Sequence, residues 1–352
     1  MPKPNASAAA VHLEKRPISM PLLLLNDQTI RERLTIEDVI TLVKFAFVED
    51  AQGRTKTLPV LKESLPEERG TWVIKAGHLQ LPAGNEFAMR EVIGLKFGGY
   101  CPANAAHGIP NHNAAMMLTD PVTGRPCAIL AANTITTLRT AAGGAVAAQQ
   151  LSGEGADRVA VLGAGDQAYA QLDAWIAIHP VSQVKVWARS RERSDQYAAF
   201  WRSKGIDAQS CISAEAAVQN AGLIITATAA REPILRLEWV RPGAHINAIG
   251  ADSVGKQELQ AELVAKATLF ADKRIQSIRI GEMQKPLELD LVTESHVRAE
   301  LGEVCAGLEP GRTSADEITI FDSTGVAFQD LIVAGHLQQL AARQGFGQTI
   351  LL

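Results

Sequence analysis

The sequence predicts an α/β protein that joins a doubly wound parallel-sheet domain to a second, α+β domain. Three observations carry the prediction. From Arg158 to Asp322, apolar strand-like runs alternate with runs of helical period, the pattern of a parallel sheet wound by crossover helices. Between Leu58 and Leu130 the chain holds short extended segments parted by proline and glycine, as an antiparallel or mixed sheet requires. The 352 residues, 47% hydrophobic and 20% charged, suffice for two cores rather than one.

Taken in order, residues 1–18 read as a mobile tail whose basic residues follow its small apolar stretch, unlike a secretory signal. A short strand from Leu22 precedes a helix whose Ile36, Val39, Ile40, Val43 and Phe47 recur at helical spacing. Thr35 is its N-cap, Glu37 and Asp38 suit its first turn, and Gly53 ends it. "TLPVLKE", "TWVIKAGHL", "VIGLKFGGY" and "HNAAMMLTD" are the extended segments, and "DPVTGRP" is a turn. "TITTLRTAAGGAVAAQQLSG" is a helix of small residues suited to close packing. "RVAVLGAG", "QVKVWARS", "GLIITATA", "HINAIGA" and "ATLFAD" supply strands of the wound sheet. The last helical pattern, around Val326, Phe328, Leu331, Ile332 and Leu337, has no strand after it to continue the winding and packs back on the first domain. The expected division is therefore residues 19–145 plus 325–352 in one domain and 146–324 in the other.

Composition narrows the partners. With 34 basic and 38 acidic residues and a net charge of -4, there is no electrostatic footprint for nucleic acid or an anionic membrane. A small molecule is expected instead. The apolar run from Met20 to Leu25 is far short of the roughly 20 residues of a membrane span. Cys101, Cys127, Cys211 and Cys305 lie far apart, suggesting neither zinc site nor disulfide framework and fitting a reducing cytoplasm. His107 and His112 have no carboxylates around them, so no metal site is expected, and no nucleophile elbow is present.

The sharpest motif is "VAVLGAGDQAYAQ". Gly163, Gly165 and Ala168 form G-x-G-x-x-A between an apolar strand and a helix, the setting of a Rossmann dinucleotide-binding loop. Gly163 permits the turn, Gly165 lets backbone approach a pyrophosphate, and Ala168 seats the helix on the strand, with Ala164, Asp166 and Gln167 completing the loop. Where an NAD enzyme carries an acid at the end of the second strand, this chain reads "VWARSRERS". Arg189, Ser190 and Arg191 suit a 2′-phosphate, so NADP(H) is expected ahead of NAD(H).

Before that loop Lys62, Lys75, Lys96 and Arg139 sit in largely apolar surroundings, a placement that is costly without an anion. Lys96 and Arg139 are candidates for holding a substrate carboxylate, and His112 for touching substrate. Asp252 follows a parallel strand at its carboxyl end, where doubly wound sheets bind ligands, and is the candidate acid/base.

These residues resemble the ornithine cyclodeaminase/mu-crystallin family over nearly the whole length after the tail. The motifs concerned are "LPVLKE", "GLKFGGYCPAN", "DPVTGRPCAIL", "LRTAA", "VLGAG", "GAHINAIGAD", "IGE", "ELGEV", Gly311–Arg312 and "TIFDSTGVAFQDL". The resemblance implies a homodimer, whose first domain forms the substrate site and dimer interface beside a Rossmann domain. It places carboxylate-binding residues at Lys62, Lys96 and Arg139, the acid at Asp252, and nicotinamide contacts near Thr140, Thr226, Ile249 and Ser323, with Thr228, Gly250 and Gly325 beside them. Two departures stand out. The family often has Arg at the position of Lys62, and "IKAGHL" replaces the usual "MPA"-like stretch, so Lys75 and His78 point to a distinct substrate with a second carboxylate. "GGYCPAN" followed by "PNHN" is more similar to the iminosuccinate-type reductases than to the ornithine enzymes.

The activity expected is reduction of a small imino acid, a cyclic ketimine or iminosuccinate, with Asp252 and Lys96 catalytic. Its rivals are an ornithine or lysine cyclodeaminase and a crystallin-like protein that holds NADPH without turnover.

Overall fold

The computed structural model describes residues 21–351, so the tail expected over residues 1–18 lies outside the described residues. In chain order, β1 (Pro21–Leu25), α1 (Asp27–Arg33), α2 (Ile36–Ala51), β2 (Thr55–Thr57), β3 (Leu61–Ser64), β4 (Thr71–Gln80), β5 (Glu91–Tyr100), β6 (His112–Thr119), β7 (Pro126–Ala131) and α3 (Asn133–Leu151) come first. Then follow β8 (Arg158–Leu162), α4 (Asp166–Ile178), β9 (Gln183–Trp187), α5 (Arg191–Ser203), β10 (Ala208–Ser210), α6 (Ala214–Val218), β11 (Leu223–Thr226) and β12 (His245–Ala248). The remainder is α7 (Ala261–Lys266), β13 (Thr268–Ala271), α8 (Arg274–Ile280), α9 (Gln284–Glu288), β14 (Val297–Glu300), α10 (Leu301–Cys305), β15 (Thr319–Asp322), α11 (Ala327–Gln344) and β16 (Gln348–Leu351).

These elements form two sheets. The first runs β16-β1-β7-β6-β5-β4-β2, with β3 also paired to β4. It is mixed, because β1 lies parallel to β7 while the other pairs are antiparallel. The second, β10-β9-β8-β11-β12-β15-β13-β14, is parallel throughout, and its central strands β11, β12 and β15 are buried at every position. Strands covered on both faces read as continuous apolar runs, which is why this half was plain in the sequence.

Helix α2 begins with the capping box Thr35–Asp38 and buries Val39, Ile40, Leu42, Val43, Ala46 and Phe47. Phe47 meets Phe328 edge to face, with ring centroids 5.4 Å apart, and so ties α2 to α11. Helix α3 runs unbroken from the end of the first sheet to the start of the second, its Ala141–Ala148 stretch wholly buried.

Several short elements escaped the sequence pattern, α1 and β16 among them. Helix α1 buries only Ile30, so it shows no apolar period, although Asn26 caps it. A strand, β16, does follow the last helix, but it joins the edge of the first sheet antiparallel to β1 instead of continuing the winding. No helix among the described residues is long and apolar enough to cross a membrane.

Candidate active site

At the end of β8 the chain turns sharply. Gly163 has φ +125°, and a Cβ there would fall 2.5 Å from the Ala227 carbonyl oxygen, so only glycine fits. Gly165 caps α4 with extended backbone and no side-chain cap, and nothing lies within 4 Å of where its Cβ would stand. The first-turn amides of α4 therefore open onto free space, as a pyrophosphate requires. The buried Gln167 Oε1 has no hydrogen-bond partner. Ala168 is fully buried, and its carbonyl accepts a 2.9 Å hydrogen bond from the Tyr197 hydroxyl.

The basic turn after β9 divides its labour. Ser190 caps α5 by accepting from the Arg193 amide, and Arg191 pairs with Asp195 one turn on at 3.0 Å. Both are engaged locally. Arg189 is exposed and forms no ion pair among the described residues. Arg193, which the sequence reading passed over, donates to the Ala164 carbonyl at 3.1 Å and lies across the phosphate loop.

At the strand ends that would face a nicotinamide, the polar groups of Thr226, Thr228 and Gly250 converge on a buried carboxylate not anticipated from sequence. Glu258 accepts from Thr226 Oγ1 at 2.7 Å, from the Thr228 amide and hydroxyl at 2.6 Å each, and from the Gly250 amide at 2.8 Å. These residues set the shape of the strand ends, and their polar atoms are spent on Glu258. Ile249 and Ser323 are buried beside them, Ser323 donating its amide to the Ala248 carbonyl. The Thr140 hydroxyl bonds within α3, to the Thr136 carbonyl.

The cations come from the other sheet. Register pairs Lys62 with Val73 and Lys75 with Lys96, and because side chains alternate along a strand, Lys62, Lys75, Lys96 and His112 share one face. His78 falls on the opposite face, where it meets Glu91 at 2.7 Å, so the expectation that it joins Lys75 at the substrate is corrected by strand parity. On the shared face Lys96 Nζ and Arg139 Nε both reach Asp330 Oδ1, at 2.8 and 2.9 Å, and Arg139 Nη1 donates to Gln329 Oε1 at 2.9 Å. Asp330 is thus the resident counter-ion of the pair assigned to a substrate carboxylate. Its signal was present: an acid inside the apolar helical run of α11, on the buried side between Phe328 and Leu331.

Lys75 extends to the loop after β15, donating to the carbonyls of Thr324 and Gly325 at 3.1 and 2.6 Å. Lys62 reaches the loop after β12, donating to the Asp252 carbonyl at 3.2 Å and to the Ser253 hydroxyl. Lys256, four residues beyond Asp252 and unnoticed in the sequence, pairs with its carboxylate at 2.7 Å; Lys62 stands 3.8 Å from it. The first sheet thereby bridges to the carboxyl ends of the parallel strands, and the four cations and Asp252 surround one cleft.

The titration shifts describe its field. Burial, reinforced by Arg139, pushes Lys75 down to about 8; burial, with Arg139 and Lys75 nearby and despite Asp330, pushes Lys96 down to about 7. Burial and the same cations push His112 down to about 4, so it is neutral near pH 7. Burial would raise Asp252, but Lys256 and Lys62 overcome it and hold this carboxyl far below the usual range. Its side chain stays 44% exposed, so an ionised carboxylate faces the open cleft.

Hydride chemistry at carbon–nitrogen bonds needs a dinucleotide at the strand ends, a surface that fixes a carboxylate, and an anion beside the nitrogen. Candidates for all three lie at these strand ends, and the fold with this site belongs to the NAD-dependent oxidoreductases that act on imines. The chain belongs to the ornithine cyclodeaminase/mu-crystallin family, whose profile matches residues 22–343. It is 35% identical to an iminosuccinate reductase of Paracoccus denitrificans over 94% of this chain and 99% of that protein. An archaeal alanine dehydrogenase dimer with bound NAD superposes with TM-score 0.87 at 33% identity, covering 94% of this chain and 99% of that one. The Δ1-pyrroline-2-carboxylate reductase of Thermococcus litoralis, in complex with NADH and L-proline, also gives 0.87, at 29% identity over 93% and 100%.

Proposed function

We propose that the protein reduces the carbon–nitrogen double bond of a small imino acid to the amino acid, with NADP(H) preferred and NAD(H) usable. The observation that supports this best is the convergence of first-sheet cations and the ionised Asp252 on the carboxyl ends of β12 and β15.

In this reading residues 146–324 hold the dinucleotide along Gly163–Ala168, with Thr140, Thr226, Thr228, Ile249, Gly250, Ser323 and Gly325 shaping the nicotinamide end. When bound, the reduced nicotinamide supplies the hydride. Residues 19–145 with 325–352 hold the substrate. Lys96 and Arg139, aimed by Asp330, fix the α-carboxylate, assisted by Lys62 and flanked by His112, so that the imine carbon is presented in one orientation. Asp252 stands at the nitrogen. A carboxylate held ionised by Lys256 and Lys62 is a poor proton donor, but it favours the protonated iminium, the better hydride acceptor. Arg189, with no acid beside it at the end of β9, supports recognition of a 2′-phosphate.

The exposed face of the first sheet carries Leu61, Phe97 and Ile129 with Trp72 beside Phe97, an apolar surface suited to a second copy of the chain, so the working form is read as a homodimer. Four free cysteines suit a reducing cytoplasm.

The test is to follow oxidation of stoichiometric NADPH and NADH with a panel of imines: pyrroline-2-carboxylate, piperideine-2-carboxylate, and 2-oxo acids with ammonia. Consumption of the reduced cofactor with at least one supports the reading. Ammonia and proline formed from ornithine with catalytic NAD, and no net cofactor change, would replace it with cyclodeamination.

A further inference from the structure

Lys75 is the odd cation of the cleft. Lys96 and Arg139 have Asp330, while Lys62 and Lys256 have Asp252; Lys75 has no carboxylate within 4.0 Å among the described residues. Two backbone carbonyls, of Thr324 and Gly325, accept two of its three donors, and the third is left without a partner. A part-buried ammonium with no carboxylate in direct contact and one donor to spare is suited to an anion that arrives from outside.

The partner cation is close by. A Cβ on Gly325 would lie 2.7 Å from Arg139 Nη1 and 3.1 Å from Lys75 Nζ, so the two cationic ends pack together over a residue with no side chain to part them. Lys75 also faces Lys96 directly across the β4–β5 pair, with Cβ atoms about 4.5–5.5 Å apart. Two lysines on one face, beside Arg139, suit a small molecule that carries two carboxylates.

We propose that Lys75 forms a second carboxylate subsite and that the preferred imine is an open-chain, four-carbon imino dicarboxylic acid. This rests on the imine-reductase reading above. Lys96 and Arg139 take the α-carboxylate, Lys75 with the free edge of Arg139 takes the distal one, and Asp252 takes the iminium. A reduced nicotinamide held along Gly163–Ala168 would supply the hydride for the new C–H bond and be oxidised in doing so, the C=N π pair would go to nitrogen beside Asp252, and the amine would take its further proton from solvent. The product is an amino dicarboxylate. A cyclic monocarboxylic ketimine would leave Lys75 facing carbon.

The assay compares kcat/KM for the imine of oxaloacetate and ammonia with that for the imine of pyruvate and ammonia and for pyrroline-2-carboxylate, in wild type and in Lys75→Met. Wild type should favour the dicarboxylic imine at least tenfold. Lys75→Met should lower its kcat/KM by roughly 10- to 150-fold, mostly through KM, the range for losing a charged hydrogen-bond partner. The monocarboxylic imines should lose far less, and Lys75→Arg should keep part of the preference. Equal losses on all imines, or a wild type that prefers a monocarboxylic one, would overturn the subsite while leaving imine reduction standing. A wild type that reduces none of them sinks the broader reading as well. Inhibition of wild type alone gives a check that needs no variant: succinate should compete much more strongly than butyrate, and equal competition rejects the proposal.

Discussion

The cleft contains two carboxylates that each hold two cations, and they are opposites. Asp330 is sealed, its side chain 1% exposed against Lys96 at 3% and Arg139 at 5%. Asp252 is open, 44% exposed, with Lys62 at 29% and Lys256 at 24%. Equal charges do different work because of access to water. A sealed group of three charges cannot trade partners without exposing an unpaired ion, so it fixes where Lys96 and Arg139 point. An open one exchanges a cation for a substrate nitrogen at little cost.

The largest expected effect breaks that contrast at the open end. Asp252→Asn keeps the shape and removes the charge; kcat should fall by about 10²- to 10³-fold, the usual worth of one group that stabilises charge at the reacting centre, with the melting temperature little changed. At the sealed end, Asp330→Asn should instead unfold readily, losing about 3–5 kcal/mol in a denaturant titration because Lys96 and Arg139 are left buried and uncompensated. A fragile Asp252→Asn beside a robust, inactive Asp330→Asn would reverse the roles assigned here.

A second contrast, between the halves of the molecule, is sharpened at Arg189. Arg189→Ala should raise the NADPH KM by roughly tenfold or more, the cost of one charge-assisted hydrogen bond, and leave the NADH KM nearly unmoved. Equal effects would show that Arg189 reads no phosphate. This half was legible because its signals are contiguous: Gly163, Gly165 and Ala168 lie within six residues on a strand–turn–helix. The cleft was legible only in part. Lys96, Arg139 and Asp252 stood out as charges in apolar or strand-end settings, but the pairing of Lys75 with Lys96 and the turning away of His78 depend on register, which a single sequence does not specify across separate hairpins. Asp330 joins Arg139 across 191 residues, and Glu258 gathers Thr226 and Gly250 from two strands; such partners are properties of the packed fold.

The smallest effect, and the most specific to the cationic side, concerns protons. Lys96 and Lys75 titrate at about 7 and about 8, facing Arg139, His112, Asp252, Asp272 and Asp330. Asp252 and Asp330 stay ionised and His112 stays neutral near pH 7, while the two lysines change charge between pH 6 and 9. A carboxylate is held by the ammonium forms, so kcat/KM should fall as pH rises through 7 to 8, about tenfold per unit for each lysine whose proton is required for binding. Melting temperature is a poor readout. The lysines bind fewer protons folded than unfolded between those values and 10.5, so their contribution to stability rises with pH. Asp322, pushed up to about 8 by burial with Asp272 and Glu258 nearby, binds more protons folded, and its contribution is lost as pH climbs toward that value. Binding separates the two. A carboxylate seated between Lys75 and Arg139 draws the lysine values upward, so titration calorimetry with succinate at pH 8, in buffers of different ionisation enthalpy, should record proton uptake. Zero uptake would mean that both lysines are already charged in the free protein, and the contrast between a sealed, satisfied carboxylate group and a cleft short of anions would fail.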